Sequence, residues 1–235
     1  KREFIGEKDQ WSLKRFKRND GGEKNSLSRG SYVNTFGEED ETINDNRSIL
    51  MLLSAFHVST PTMVYKHWLN GTLYYLYRLE KIESNSYLKY LESLAKAFVF
   101  DRFLAFDKKA DYFSIIHANA ENPQVDPSTT RDIKNLESML SFENIENNFI
   151  FNYLDYLLWL KHKQSDPKIR DYKFTFRSSV EHYYPQSPMP GHTPLPLKTL
   201  NSFGNLCLIS HSKNSRLSNF MPNAKKEYYQ GNSID

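Results

Sequence analysis

Apolar residues recur at helical spacing through the middle of the chain and switch to strict alternation near residue 171. Residues 1–45 are polar and charged, and "RNDGGEKNSLSRG" reads as a loop, so this part is expected to be a polar lead-in, partly loop. Residues 46–168 are predicted to form a helical domain. In "STPTMVYKHWLNGTLYYLYRL", Thr60 is a candidate N-cap and Pro61 a candidate first helical residue. Tyr65, Trp68, Leu69, Leu73, Leu76 and Leu79 then share one helical face. Tyr87, Leu91, Leu94 and Phe98 do the same in "YLKYLESLAKAFVFDRFLAF". "IKNLESML" and "FIFNYLDYLLWL" supply two further helices. The aromatic stripes read as core.

After residue 171 the period is two. "YKFTFRSSV" sets Tyr172, Phe174 and Phe176 against Lys173, Thr175 and Arg177, the signature of a half-buried strand. Five prolines between 185 and 196 then exclude a regular element, so a long loop follows. "LCLIS" reads as a second strand, and "NSRLSN" and "PNAKKEYYQ" as short helices. The fold class is therefore α+β, with residues 169–235 as a second, smaller domain.

Composition narrows this picture. At 235 residues, with 39% apolar and 14% aromatic side chains, the chain can bury a sizeable core and is not a disordered tail. The single cysteine, Cys207, excludes a disulfide framework and a cysteine-based zinc site. The longest apolar runs are too short for a membrane span and no secretory signal is visible, so a cytoplasmic location is expected. The sequence lacks an initiator Met and opens in mid-pattern, which reads as a piece of a longer protein. Residues 171–235 contain seven Lys/Arg against four acids, so the whole net charge of +3 sits there, compatible with a polyanionic partner.

The candidate chemistry lies in that same basic region. Hydrolysing a phosphodiester requires a base near neutral pH and a divalent cation to offset developing charge. Histidine, with an ordinary pKa of about 6.5, meets the first need. Mg²⁺ prefers oxygen ligands and accepts one or two from protein, so one carboxylate and one Asn carbonyl suffice. "EHYYPQ" places Glu181 and His182 at a strand end, "FGNLCLIS" places Asn205 at the start of the next strand, and "HSKNSRLSN" places Asn214 in a predicted helix.

This ordered set resembles the acid-His-x-x-Pro…Asn-Leu…Asn pattern of HNH, or ββα-metal, nucleases. The longer combination "RSSVEHYYPQ…LNSFGNLCLISHSKNSRLSN…KK" is similar to the C-terminal nuclease domain of GmrSD-type restriction endonucleases with its preceding helical region. The resemblance implies a helical domain followed by a small ββα-metal domain that cleaves DNA, modified or from phage, in defence. It implies His182 as general base, Glu181 and Asn214 as ligands of Mg²⁺ or Mn²⁺, and Asn205 as the residue that locks the hairpin and orients His182. Arg177, Lys213, Arg216, Lys225 and Lys226 become candidate DNA contacts. The family's usual partner, an N-terminal ParB-like domain with an Asp-Gly-Gln-Gln-Arg motif, is not in this sequence, so no nucleotide hydrolysis is expected of it.

Several features cut against a simple transfer. The zinc-binding cysteines that flank many HNH sites are missing, and Glu181 stands where Asp or His is common. Neighbouring strand residues point to opposite faces, so Glu181 and His182 converge only if the strand twists or bulges. Each residue also has a plainer reading: Glu181 paired with Arg177, Asn205 as a turn residue, Asn214 as a helix cap, and the lysines as a solvated face. Two functional alternatives follow: a catalytically silent DNA-binding or docking module, and a ribonuclease toxin on the same fold.

Overall fold

The computed structural model describes residues 2–7, 10–18, 30–36, 45–60, 62–117, 133–211 and 219–231. An antiparallel meander opens the chain: β1 (Arg2–Glu7), β2 (Gln10–Arg18) and β3 (Gly30–Asn34), ordered β1-β2-β3. This corrects the expectation of a polar lead-in. The alternation was present in "QWSLKRFKR" but masked by its charges; Leu13, on β2, is buried in the main core.

Nine helices of four or more residues follow among the described residues, besides a π-helical stretch. α1 (Asp45–Ser59) is buried on every face from Ser48 to Phe56, which makes it the central element. It packs against β2, α3 (Ser84–Lys96) and α6 (Phe149–His162). α2 (His67–Tyr77) crosses α3 closely at Gly71. There the Tyr90 hydroxyl donates to the Gly71 carbonyl at 2.8 Å, and a Cβ at Gly71 would sit 3.2 Å from that hydroxyl. α3 continues into a π-helical stretch, Ala97–Phe103, before α4 (Tyr112–His117) and α5 (Ile133–Met139).

The expected helix start at Thr60 is not found. α2 begins at His67, after a 3₁₀ turn at Met63–Tyr65. The Thr60 hydroxyl instead donates to the Phe56 carbonyl, closing the end of α1, and accepts from the Trp68 indole. Pro61 lies outside the described residues.

α7 (Pro167–Arg170) opens on an Asp166 cap. From Tyr172 to Ser178 the chain joins no sheet, so the strand predicted there starts only at Ser179. Phe174 nevertheless anchors this segment in the helical core, 1% exposed. β4 (Ser179–His182), α8 (Leu197–Leu200), β5 (Leu206–Ile209) and α9 (Pro222–Gly231) complete the chain. The proline-rich loop joins β4 to α8 and turns at Gly191, φ 90°. Helices and two small sheets make an α+β protein.

Candidate active site

β4 and β5 pair antiparallel, with Ser179 opposite Ile209, Val180 opposite Leu208, Glu181 opposite Cys207 and His182 opposite Leu206. One face of this two-stranded ribbon carries Val180, Leu206 and Leu208, which pack on Phe151 of α6 and on Phe203. Two strands bury too little to stand alone, so the ribbon depends on α6 beneath it.

Asn205, just before β5, fastens the far end of β4. Its Oδ1 accepts from the Tyr184 amide at 2.7 Å, and its Nδ2 donates to the carbonyls of Tyr184 (3.2 Å) and Leu200 (2.8 Å). Its own carbonyl accepts from the Tyr183 amide at 2.8 Å. A single side chain thus ties together the exit of β4, the end of α8 and the start of β5.

His182 ends β4 and is only 5% exposed. Its Nε2 lies 3.0 Å from Asn201 Oδ1, and its ring sits 4.5 Å from the Phe142 ring, tilted by 51°. Asn201 follows α8 and is itself buried; its Nδ2 donates to Glu143 Oε1 at 3.4 Å. The Phe142 amide donates to the Asn201 carbonyl at 2.9 Å, and Ser141 bridges Ser202. Residues 141–143, just ahead of α6, therefore form a wall against the imidazole. Asn201 and Glu143 stand outside the His…Asn…Asn pattern, and nothing in their spacing marks them.

Glu181 points elsewhere. Its Oε1 accepts from Lys225 Nζ at 2.7 Å, and the same ammonium donates to the His182 carbonyl at 2.6 Å. Lys225 projects from α9 and is 2% exposed, whereas the Glu181 side chain is 14% exposed. The strand alternation holds: the imidazole meets Phe142 and Asn201, and the carboxylate meets α9. Cys207, opposite Glu181, has its thiol pushed up by burial and secondarily by the Glu181 charge, which keeps it protonated and unreactive.

The basic candidates divide. Arg177 donates from Nη1 to the Tyr172 hydroxyl at 3.2 Å and lies 4.0 Å from Asp155 Oδ2. Tyr172 also donates to Asp155, whose carboxyl is raised by burial despite these two partners. Arg177 therefore serves Asp155, and the pairing of Glu181 with Arg177 is replaced by the pairing with Lys225. Lys225 is a buried structural cation, while its neighbour Lys226 is exposed. Lys213, Asn214 and Arg216 lie outside the described residues.

A divalent cation would find part of what it needs. Glu181 Oε1 and the His182 carbonyl converge on one point, and oxygen is the right donor for a hard cation. That point holds the Lys225 ammonium. Among the described residues no three His, Cys, Asp or Glu side chains cluster around a metal-sized gap. With Lys225 in place the described residues do not form an open metal site.

The hairpin with its asparagine lock, the buried histidine and the preceding α6 fall within one matched segment: the model of GmrSD restriction endonucleases, C-terminal domain, matches residues 130–235. The likeness to that family covers residues 130–235, less than half of the chain. The match reaches back through α5 and α6, so the matched segment includes the wall at 141–143 and the helix supporting the ribbon. No curated protein and no solved structure gives a match. Among the described residues no helix is long and apolar enough to cross a membrane.

Proposed function

We propose that this protein is a DNA endonuclease of a restriction or phage-defence system, with His182 as the general base. The observation that supports this most is His182 itself: a buried imidazole at the strand end, gripped at Nε2, inside a segment matching a restriction-endonuclease domain. In this reading β4, β5 and the chain after Ile209 form a ββα-metal unit that works in the cytoplasm. Mg²⁺ or Mn²⁺ would be held by Glu181 and Asn214 once Lys225 has moved off the carboxylate, and would offset charge on the phosphate. The exposed Lys226, with Lys213 and Arg216, would meet the DNA backbone. Modified or phage DNA is the proposed substrate, and a ParB-like N-terminal domain the proposed partner.

His182 takes a proton from water, and Asn205 keeps the strand end in register while it does so. A positioned base of this kind contributes about 10²–10⁴-fold in rate. The protein should therefore nick plasmid DNA with Mg²⁺ or Mn²⁺ and stop with chelator, while His182→Ala loses about that factor with its fold intact. A parallel RNA substrate distinguishes a ribonuclease toxin. A second reading, a silent DNA-docking module, draws support from the Lys225–Glu181 ion pair; it requires both substrates to stay intact with either metal.

A further inference from the structure

Where the end of α1, the start of α2, the π-helical stretch and the start of α6 meet, Phe56, Trp68, Phe98 and Phe149 wall a half-open pocket of about 80 Å³. A water needs only about 10–15 Å³ of such space, so the pocket has room for a planar ring. A second, polar hollow of about 110 Å³ adjoins it, lined by Arg102, Lys109 and Glu146. Phe103, Tyr112 and Asn147 line both. Tyr112 is the partition. The His67 ring stacks on it at 3.8 Å, tilted by 13°, and the Arg102 guanidinium carbon lies 3.8 Å from its centroid. Two groups that close cannot share one face, so His67 stands on the aromatic side and Arg102 on the polar side. Arg102 and Phe103 end the π-helical stretch, a rare conformation that recurs at functional sites, and Arg102 Nη1 is braced by the Ala110 carbonyl at 2.6 Å.

The polar atoms at the pocket specify which ring fits. Asn147 Oδ1 accepts from the Phe149 amide at 2.8 Å, so its Nδ2 is the end left over. That amino group, the Tyr112 hydroxyl and both His67 ring nitrogens bond no other described residue. Burial, and secondly the Arg102 charge, lower the His67 pKa, so the neutral ring offers one N–H and one lone pair. A purely apolar ligand would leave these groups unpaired. A heteroaromatic ring edged with donors and acceptors satisfies them while its faces lie against aromatic walls. Next door, Glu146 neutralises Lys109 at 2.6 Å, whereas no carboxylate of the described residues pairs with Arg102. An anion attached to the ring therefore meets a net positive charge. Ring, mixed edge and attached anion together describe a nucleotide. We propose that this pocket is a nucleotide-binding site, taking the base among the aromatic walls and the phosphate at Arg102. It stands apart from the ribbon and does not rest on the reading of His182.

Calorimetric titration of the whole protein with dCMP and dAMP tests this, and the Trp68 indole signal in ¹H–¹⁵N spectra reports where they bind. That indole donates to Thr60 Oγ1 at 2.8 Å on the pocket wall, so a bound ring shifts its resonance. At least one of the two nucleotides should bind saturably and move the signal. Arg102→Gln should weaken dCMP about tenfold and leave deoxycytidine unchanged, since only the phosphate's partner is lost. Asn147→Asp keeps an acceptor for the Phe149 amide but replaces the amino donor, and should weaken both by about tenfold. A short single-stranded oligonucleotide that displaces dCMP places the natural ligand in a DNA strand; failure to displace it places the ligand in the free nucleotide pool. No saturable binding, an unmoved Trp68 signal, benzoate bound as tightly as dCMP, or an Arg102→Gln variant that binds dCMP like wild type overturns the proposal. Were a variant to unfold, the wild-type titrations with dCMP, deoxycytidine and benzoate still decide. The readout is binding, so it is judged apart from plasmid nicking.

Discussion

The helical layer and the C-terminal ribbon hold themselves together by opposite means. In the layer, α1, α3 and α6 bury a continuous aromatic core in which Phe56 stacks on Phe149 at 4.4 Å and on Trp68 at 5.4 Å. The ribbon rests on a cluster of three buried apolar residues, Phe151, Leu206 and Leu208, and otherwise on directional bonds from Asn205, Asn201 and Lys225. Apolar burial contributes stability with little demand on angle. Hydrogen bonds contribute less each, about 1 kcal/mol net, but fix where atoms stand. The layer is a foundation and the ribbon a jig, which is the division a catalytic site needs.

The sharpest way to break this contrast is to damage the foundation. Trp159 of α6 is 2% exposed and its indole donates to the Arg170 carbonyl at 3.2 Å. Trp159→Ala should cost about 3–5 kcal/mol in denaturant unfolding and destabilise the ribbon with the layer. Ribbon protection unchanged in hydrogen exchange would show the two regions to be independent.

Next in size is Lys225→Met, which leaves Glu181 with a half-buried unpaired charge. It should cost about 3 kcal/mol, at the low end for a broken buried pair because Glu181 keeps some contact with water. Adding Glu181→Gln should recover much of it. In Lys225→Met the carboxylate is free, so Mn²⁺ should raise the melting temperature more than in wild type.

Asn205→Ala removes three side-chain bonds and should cost about 2–3 kcal/mol, confined to the ribbon. Hydrogen exchange at the Tyr184 amide should accelerate while amides of α1 keep their protection.

The smallest effect lies at the seam between regions, where His57 of α1 meets Trp11 of β2 at 4.4 Å and Phe176 at 5.6 Å. Burial, and secondly the Lys66 ammonium 2.8 Å from Nδ1, lower His57 to about 4. The unfolded chain binds this proton near pH 6.5 and the folded one does not. Stability from His57 is therefore present above about 6.5 and is lost as pH falls towards 4. His57→Gln should flatten that part of the stability–pH curve.

How much of this could be read from the sequence followed the same division. α3 was legible because its apolar residues recur at helical spacing, and the β4–β5 hairpin because a short motif marks both strands, whereas α1, buried on every face from Ser48 to Phe56, offers no such period. The N-terminal meander was not, because Lys14, Arg15, Lys17 and Arg18 hide the short alternation of Trp11 and Leu13. Thr60 carries the residue type of an N-cap, but a tertiary bond to Trp68 recruits its hydroxyl to the end of the preceding helix. Lys225 read as a surface cation, since nothing local reveals that α9 lays it across Glu181 and the His182 carbonyl. Asn201 escaped notice for the same reason: its partners, Glu143 and His182, lie 58 and 19 positions away.

Imidazole rescue of His182→Ala tests the central claim most directly. Supercoiled plasmid is incubated with wild type or variant, Mn²⁺, and rising free imidazole, and nicked product is followed over time. The variant should lose about 10²–10⁴-fold in rate, partly restored by imidazole. A variant that nicks at the wild-type rate without imidazole would contradict it.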